Sequence, residues 1–124
     1  GWHVRAAKPI QIPSQASKPE PDRCIARGSI RDYLHRSPEP ADIALVVEIS
    51  DTSLGEDRKQ AALYAAAGIP VYWIVNLVDR LVEVNSEPSP AGYGSRAICK
   101  PGESVPVVLD GEEAGRIEAS AILP

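Results

Sequence analysis

The sequence predicts an α/β domain built on a mixed β-sheet, and three stretches carry that prediction. Residues 43–50 (Ile-Ala-Leu-Val-Val-Glu-Ile-Ser) form an almost unbroken apolar run, the pattern of a strand buried on both faces. Residues 71–76 (Val-Tyr-Trp-Ile-Val-Asn) repeat it. Between them, residues 54–67 read as a helix with both ends marked. Ser53 and Glu56 have the Ser-x-x-Glu spacing of a capping box, which makes Ser53 the N-cap. Gly68 stops the alanine run and Pro70 follows it. Such a strand–helix–strand unit is a right-handed crossover between parallel strands.

The flanking pieces make the sheet mixed, not doubly wound. Residues 81–85 read as a third strand, antiparallel to 71–76 through a turn near 78–80. Weaker strands follow at 96–100 and 105–109, with turns at Pro101-Gly102 and Asp110-Gly111. On the N-terminal side, residues 2–7 and 9–12 read as short edge strands and 14–21 as a loop. Residues 22–27 form a short strand with Asp22, Cys24 and Ala26 on one face. Residues 28–41 are polar, with prolines at 38 and 40, and read as an exposed loop.

At 124 residues the chain is expected to form one domain, and its 44% hydrophobic and 24% charged residues are ordinary for a globular protein. It contains no methionine, so residue 1 is not expected to be the start of the translation product, and the domain is expected to be N-terminally incomplete. A net charge of −4 argues against a large sequence-independent grip on nucleic acid, although it leaves room for a local basic face. Cys24 and Cys99 are far apart and form no Cys-x-x-Cys pair, so both are expected as free, buried thiols in a reducing, cytoplasmic setting. No apolar run approaches the roughly 18 residues of a membrane span. His3 and His35 have no partners at metal-ligand spacing, and Tyr72 and Trp73 sit in a run too apolar for an exposed stacking platform.

Glu48 stands out chemically. Val46, Val47 and Ile49 predict burial around it, and an ionised carboxylate is costly there unless paired, hydrogen-bonded or metal-bound. Alternation places Asp42, Ala44, Val46, Glu48 and Ser50 on one strand face. A plainer alternative is a strand-end carboxylate that reaches water or an arginine. Lys59 falls on the helix face with Gly55, Ala62, Leu63 and Ala66, a small-residue face expected to pack on the sheet toward Glu48; the alternative is a lysine snorkelling to solvent. If the strand at 22–27 lies beside 43–50, Asp22 and Glu48 share a divalent cation, and two carboxylates with carbonyls and waters suit Mg²⁺. Asp42, Asp51 and Asp57 compete for the same role.

Four stretches resemble the Uma-two family of restriction-endonuclease-like nucleases, which have a PD-(D/E)xK-type fold. They are Pro-Glu-Pro-Asp at 19–22, Leu-Val-Val-Glu-Ile-Ser-Asp-Thr-Ser-Leu at 45–54, Asp-Arg-Lys at 57–59, and Tyr-Ala-Ala-Ala-Gly-Ile-Pro-Val-Tyr-Trp-Ile-Val-Asn at 64–76. The similarity continues, more weakly, over nearly the whole chain. It implies a Mg²⁺- or Mn²⁺-dependent endonuclease acting on DNA, with Asp22 and Glu48 as metal-binding acids and Lys59 as the third catalytic residue. Ser50 occupies the place where the wider fold usually has its lysine, and many relatives carry the helix lysine at the places held here by Gln60 and Ala61. Relatives also have an N-terminal helical region that this chain is expected to lack. One alternative is a catalytically inactive remnant or partner-binding module, with a homodimer through a sheet surface left exposed by the missing helix; another is a soluble domain whose ion pair is merely structural. The catalytic reading requires Asp22, Glu48 and Lys59 to converge on one open pocket; it fails if Lys59 faces solvent or Asp22 is remote.

Overall fold

The computed structural model of the chain describes residues 1–13 and 18–123. Six strands form one sheet: β1 (Trp2–Ala6), β2 (Arg23–Arg27), β3 (Ile43–Ser50), β4 (Val71–Asn76), β5 (Leu81–Ser89) and β6 (Gly92–Cys99). They lie in sequence order across the sheet, and only β3 and β4 run parallel. The mixed sheet and its central strand–helix–strand unit are as the sequence predicts. The crossover helix α1 spans Leu54–Ala66, and β7 (Ser104–Leu109), β8 (Glu112–Glu118) and a final turn of helix, α2 (Ala119–Ile122), complete the chain.

Two apolar layers sandwich the sheet. On one face Cys24, Val46, Tyr72 and Ile74 pack with Tyr64 of α1 and with Ile10, Ile12 and Tyr33. On the other, Leu45, Trp73, Val75 and Val82 pack with Val105 of β7 and with Ala119 and Leu123. All six β4 residues are buried, so the central strand is the one the unbroken apolar run marks.

Both helix ends follow local rules, with one difference. At the C-terminus Ile69 N–H donates to Tyr64 C=O (3.0 Å) and Gly68 N–H to Ala65 C=O (3.0 Å), a Schellman motif closed by Gly68 at φ +84°. At the N-terminus Ser53 is the N-cap, but its side chain makes no capping bond. Its hydroxyl donates instead to Asp57 Oδ2 (2.8 Å), and Glu56 faces Lys59 (3.6 Å). The capping box is therefore replaced by a Ser53–Asp57 bond.

Other departures are physical too. Residues 9–12 form no strand of the sheet, yet Ile10 and Ile12 are fully buried, because Ile10 N–H bonds Pro19 C=O and Gln11 N–H bonds Pro38 C=O. Residues 14–17 of the expected loop lie outside the described residues. The 28–41 stretch contains a 3₁₀ turn, Ile30–Tyr33, that buries Tyr33 against the core. The strand β8, absent from the sequence reading, follows the Asp110-Gly111 turn; both turn residues have positive φ (53° and 80°), as a type I′ hairpin requires. Every β8 side chain is exposed, so no apolar alternation announces it.

Candidate functional site

β2 and β3 run antiparallel with Arg23 opposite Val47, which brings Asp22, just before β2, level with Glu48. Side chains carry the strand pairing one step beyond its backbone register. Asp22 N–H donates to Glu48 Oε1 (2.6 Å), and Ile49 N–H donates to Asp22 Oδ2 (2.7 Å). Each carboxylate thus keeps its second oxygen outside these bonds. Both side chains lie half-buried.

The end of β3 is more open than its apolar sequence suggests. Ile49, on the sheet face away from α1, is 47% exposed and lies outside the apolar cluster that buries Leu45 on that face. Burial is nevertheless enough to push the Glu48 carboxyl up to about 7. The Asp22 N–H bond opposes that rise, while the negative charges of Asp22 and Asp57 add to it. A cation between these acids would relieve the repulsion.

Of the competing acids, Asp42 bonds Arg36 (2.9 Å) and Asp51 is exposed. Asp57 is buried and accepts from the Ser50 and Ser53 hydroxyls, while its backbone carbonyl accepts from Tyr72 OH (2.9 Å). The place where the wider fold has a lysine is thus filled by Ser50, which is tied to Asp57.

Lys59 does not join the site. Its side chain is 79% exposed and lies 3.6 Å from the equally exposed Glu56. The helix-face assignment is corrected: the packing face carries Asp57, Tyr64 and Ala65, and the small residues Gly55, Ala62 and Ala66 face solvent. A tyrosine ring buries more area than several methyl groups, so Tyr64 sets the orientation and turns Lys59 outward.

Glu83, which the sequence reading passed over, is a second carboxylate on the same sheet face. It is 1% exposed and opposite Ile74, which is itself opposite Glu48. Arg58 (2.7 Å), Arg96 (2.9 Å) and Asn76 Nδ2 (2.9 Å) surround it. Burial alone would raise its pKa, but the Arg58 and Asn76 bonds and both arginine charges outweigh it and hold the carboxyl below its ordinary value. Its signal in the sequence is a lone acid among the apolar residues of 81–85, flanked by two distant arginines.

A family model described as "Putative restriction endonuclease", Uma2, matches residues 1–114. The chain belongs to the Uma2 family. Among solved structures, the "putative nuclease belonging to DUF820" from Anabaena variabilis is similar with a TM-score of 0.64 at 13% identity. That similarity covers 96% of this chain and 66% of the Anabaena protein, so the present chain spans just under two thirds of its length. No curated protein matches. The Uma2 assignment and the shared fold agree with the mixed α/β sheet. No helix of the described residues is long and apolar enough to cross a membrane.

The donor set is all oxygen, which fits a hard divalent cation. Among the described residues, no three His, Cys, Asp or Glu side chains gather closely enough to hold a metal, so Asp22 and Glu48 would need carbonyls, water or substrate oxygens as further ligands.

Proposed function

We propose that this Uma2 protein is a metal-dependent phosphodiesterase acting on DNA, with Asp22 and Glu48 as its metal-holding residues. The reciprocal bonding of these acids carries the reading: each is fixed by a backbone N–H near the other, and each keeps an oxygen to offer. A bound Mg²⁺ or Mn²⁺ supplies charge neutralisation at the phosphodiester and a more acidic water. Asp22 and Glu48 orient that centre, and the half-buried Glu48 carboxyl is the group whose ionisation responds to it. Both acid side chains are only half-buried, which leaves a substrate room to approach. Lys59 faces solvent, so the three-residue site that required it fails, and the present reading rests on the two acids alone.

The exposure of Lys59 favours a second reading, a non-catalytic member that keeps the fold and binds a partner. Pairing of two copies through a sheet edge belongs to either reading. Cleavage of plasmid DNA, with and without Mg²⁺ or Mn²⁺, separates them. Metal-dependent cleavage that disappears in Glu48→Gln supports the phosphodiesterase. Equal cleavage by parent and variant removes Glu48 from the mechanism, and no cleavage by a folded, metal-binding parent favours the non-catalytic module.

A further inference from the structure

Arg5 is a buried cation with no carboxylate partner among the described residues. It lies on β1 opposite Cys24, with His3 two residues earlier on the same face. The Arg5 residue is 7% exposed, its Nε has no hydrogen-bond partner, and no carboxylate among the described residues pairs with it. An arginine cannot shed its proton, and a buried charge without a counter-charge is costly. The Tyr33 ring, 5.2 Å from the guanidinium carbon, offsets only about 0.5–2 kcal/mol of such a cost. Cys24 is no counter-ion, since burial pushes its thiol up to about 11.

Tyr33 connects Arg5 to an open cavity that Arg5 and His3 do not themselves line. Tyr33 carries Arg5 on its ring, Arg36 at 4.7 Å, and the His3 ring at 5.5 Å. His3 Nδ1 bonds Gly28 C=O (2.9 Å), and its enclosed Nε2 has no partner. Tyr33 also lines an open cavity of about 330 Å³ with Arg27, Gly28, Asp32, Arg36 and Asp42. The cavity acids are committed: Asp42 accepts from Arg36 and from Glu39 N–H, and Asp32 accepts from Ser29 N–H. Arg27 is paired with Asp110. Arg5 is the cation left over.

We propose that Arg5 is the base of a phosphate-binding subsite, with Tyr33 as its floor and His3 at its side. The guanidinium fork matches phosphate oxygens, and a phosphate would supply the missing counter-charge. Strand rise and spacing place the Arg5 and Asp22 backbones about 8 Å apart, so the subsite flanks the carboxylate pair on the same sheet face. Its ligand is a free phosphate or a nucleic-acid backbone phosphate; the second source rests on the phosphodiesterase reading, the first does not.

The test follows the Arg5 Nε–H resonance by NMR while inorganic phosphate replaces chloride at constant ionic strength. A saturable shift at Arg5, matched at the neighbouring Cys24 and Gly28 backbone amides, is the expected result; in Arg5→Lys, which keeps the charge and loses the fork, the amide response should weaken about ten-fold. A short single-stranded oligonucleotide that shifts the same resonance and competes with phosphate identifies the backbone as the source; a response to phosphate alone identifies free phosphate. No saturable shift in the parent protein, or an equal linear drift at Arg27 and Arg36, overturns the proposal. Glu48→Gln should keep the phosphate response, so a failed cleavage assay and a failed subsite give different results.

Discussion

Replacing Glu48 with glutamine separates the carboxylate's cost to the fold from its use. The glutamine amide keeps an Oε1 acceptor for the Asp22 N–H, which Glu48 accepts at 2.6 Å, so the strand pairing should survive. What is lost is a carboxyl whose pKa rises from 4.5 to about 7 on folding. A raised carboxyl binds its proton more tightly in the folded state. Its contribution is therefore fully present below about 4.5, declines as pH rises through 7, and is gone above that. At 1.36 kcal/mol per unit the span has a ceiling of about 3 kcal/mol, which partial exposure reduces to about 1–2 kcal/mol. In EDTA, parent and variant should differ little at pH 5, and the variant should be the more stable at pH 8, by roughly 3–8 °C in Tm. Adding Mn²⁺ should stabilise the parent at pH 8 and leave the variant where it was. Thermal or urea unfolding at both pH values measures this. A stability gap that is the same at pH 5 and pH 8, or a variant less stable at pH 8, refutes the reasoning.

Three further outcomes follow from the same face of the sheet. Glu83→Gln strands two arginines, but both are about half exposed and regain water, so a loss of about 2 kcal/mol in urea unfolding is expected. That loss should shrink as pH falls through the lowered Glu83 pKa, below 4.5, where the parent carboxyl also becomes neutral. Tyr64→Phe removes a fully buried hydroxyl with no partner, so unfolding should show the variant equal in stability or more stable by about 1 kcal/mol. Lys59→Ala alters a side chain that is 79% exposed; stability should change by less than about 0.5 kcal/mol, and any metal-dependent cleavage should persist.

How much of this was legible in the sequence depends on how local the signal is. The strands at 43–50 and 71–76 and the ends of α1 are written in contiguous residues, and they appear within a residue of where the pattern puts them. The nearness of Asp22 to Glu48 was legible only as a conditional, because it rests on β2 lying beside β3, a pairing across 26 positions of chain. The orientation of α1 was misread for a specific reason. Glycine and alanines at 55, 62 and 66 make a small-residue stripe, but a stripe of methyl groups competes poorly with one tyrosine for a place on the sheet. Asp57 reinforced the error, since a charged residue ordinarily marks the solvent side. Here two serine hydroxyls receive its carboxylate, and it is buried. β8 was illegible altogether, since a strand with no buried face leaves no alternation to find.

Glu48 and Glu83 show why burial alone does not identify a functional acid. They occupy one row of one face, separated by Ile74, and Glu83 is the more deeply buried. Yet Glu83 meets two guanidiniums and an amide, so its charge is balanced inside the protein and its pKa falls. Glu48 meets a backbone N–H and two further acids, so its charge is aggravated and its pKa rises. The fold supplies arginines where a carboxylate has only to be held, and pairs none, among the described residues, with the half-buried Glu48. Arg5 presents the converse on the same face, a cation that no acid among the described residues pairs. An acid pair lacking a cation and a cation lacking an anion, side by side, are what a site for a metal and a phosphate requires, and neither deficit is explained by packing alone.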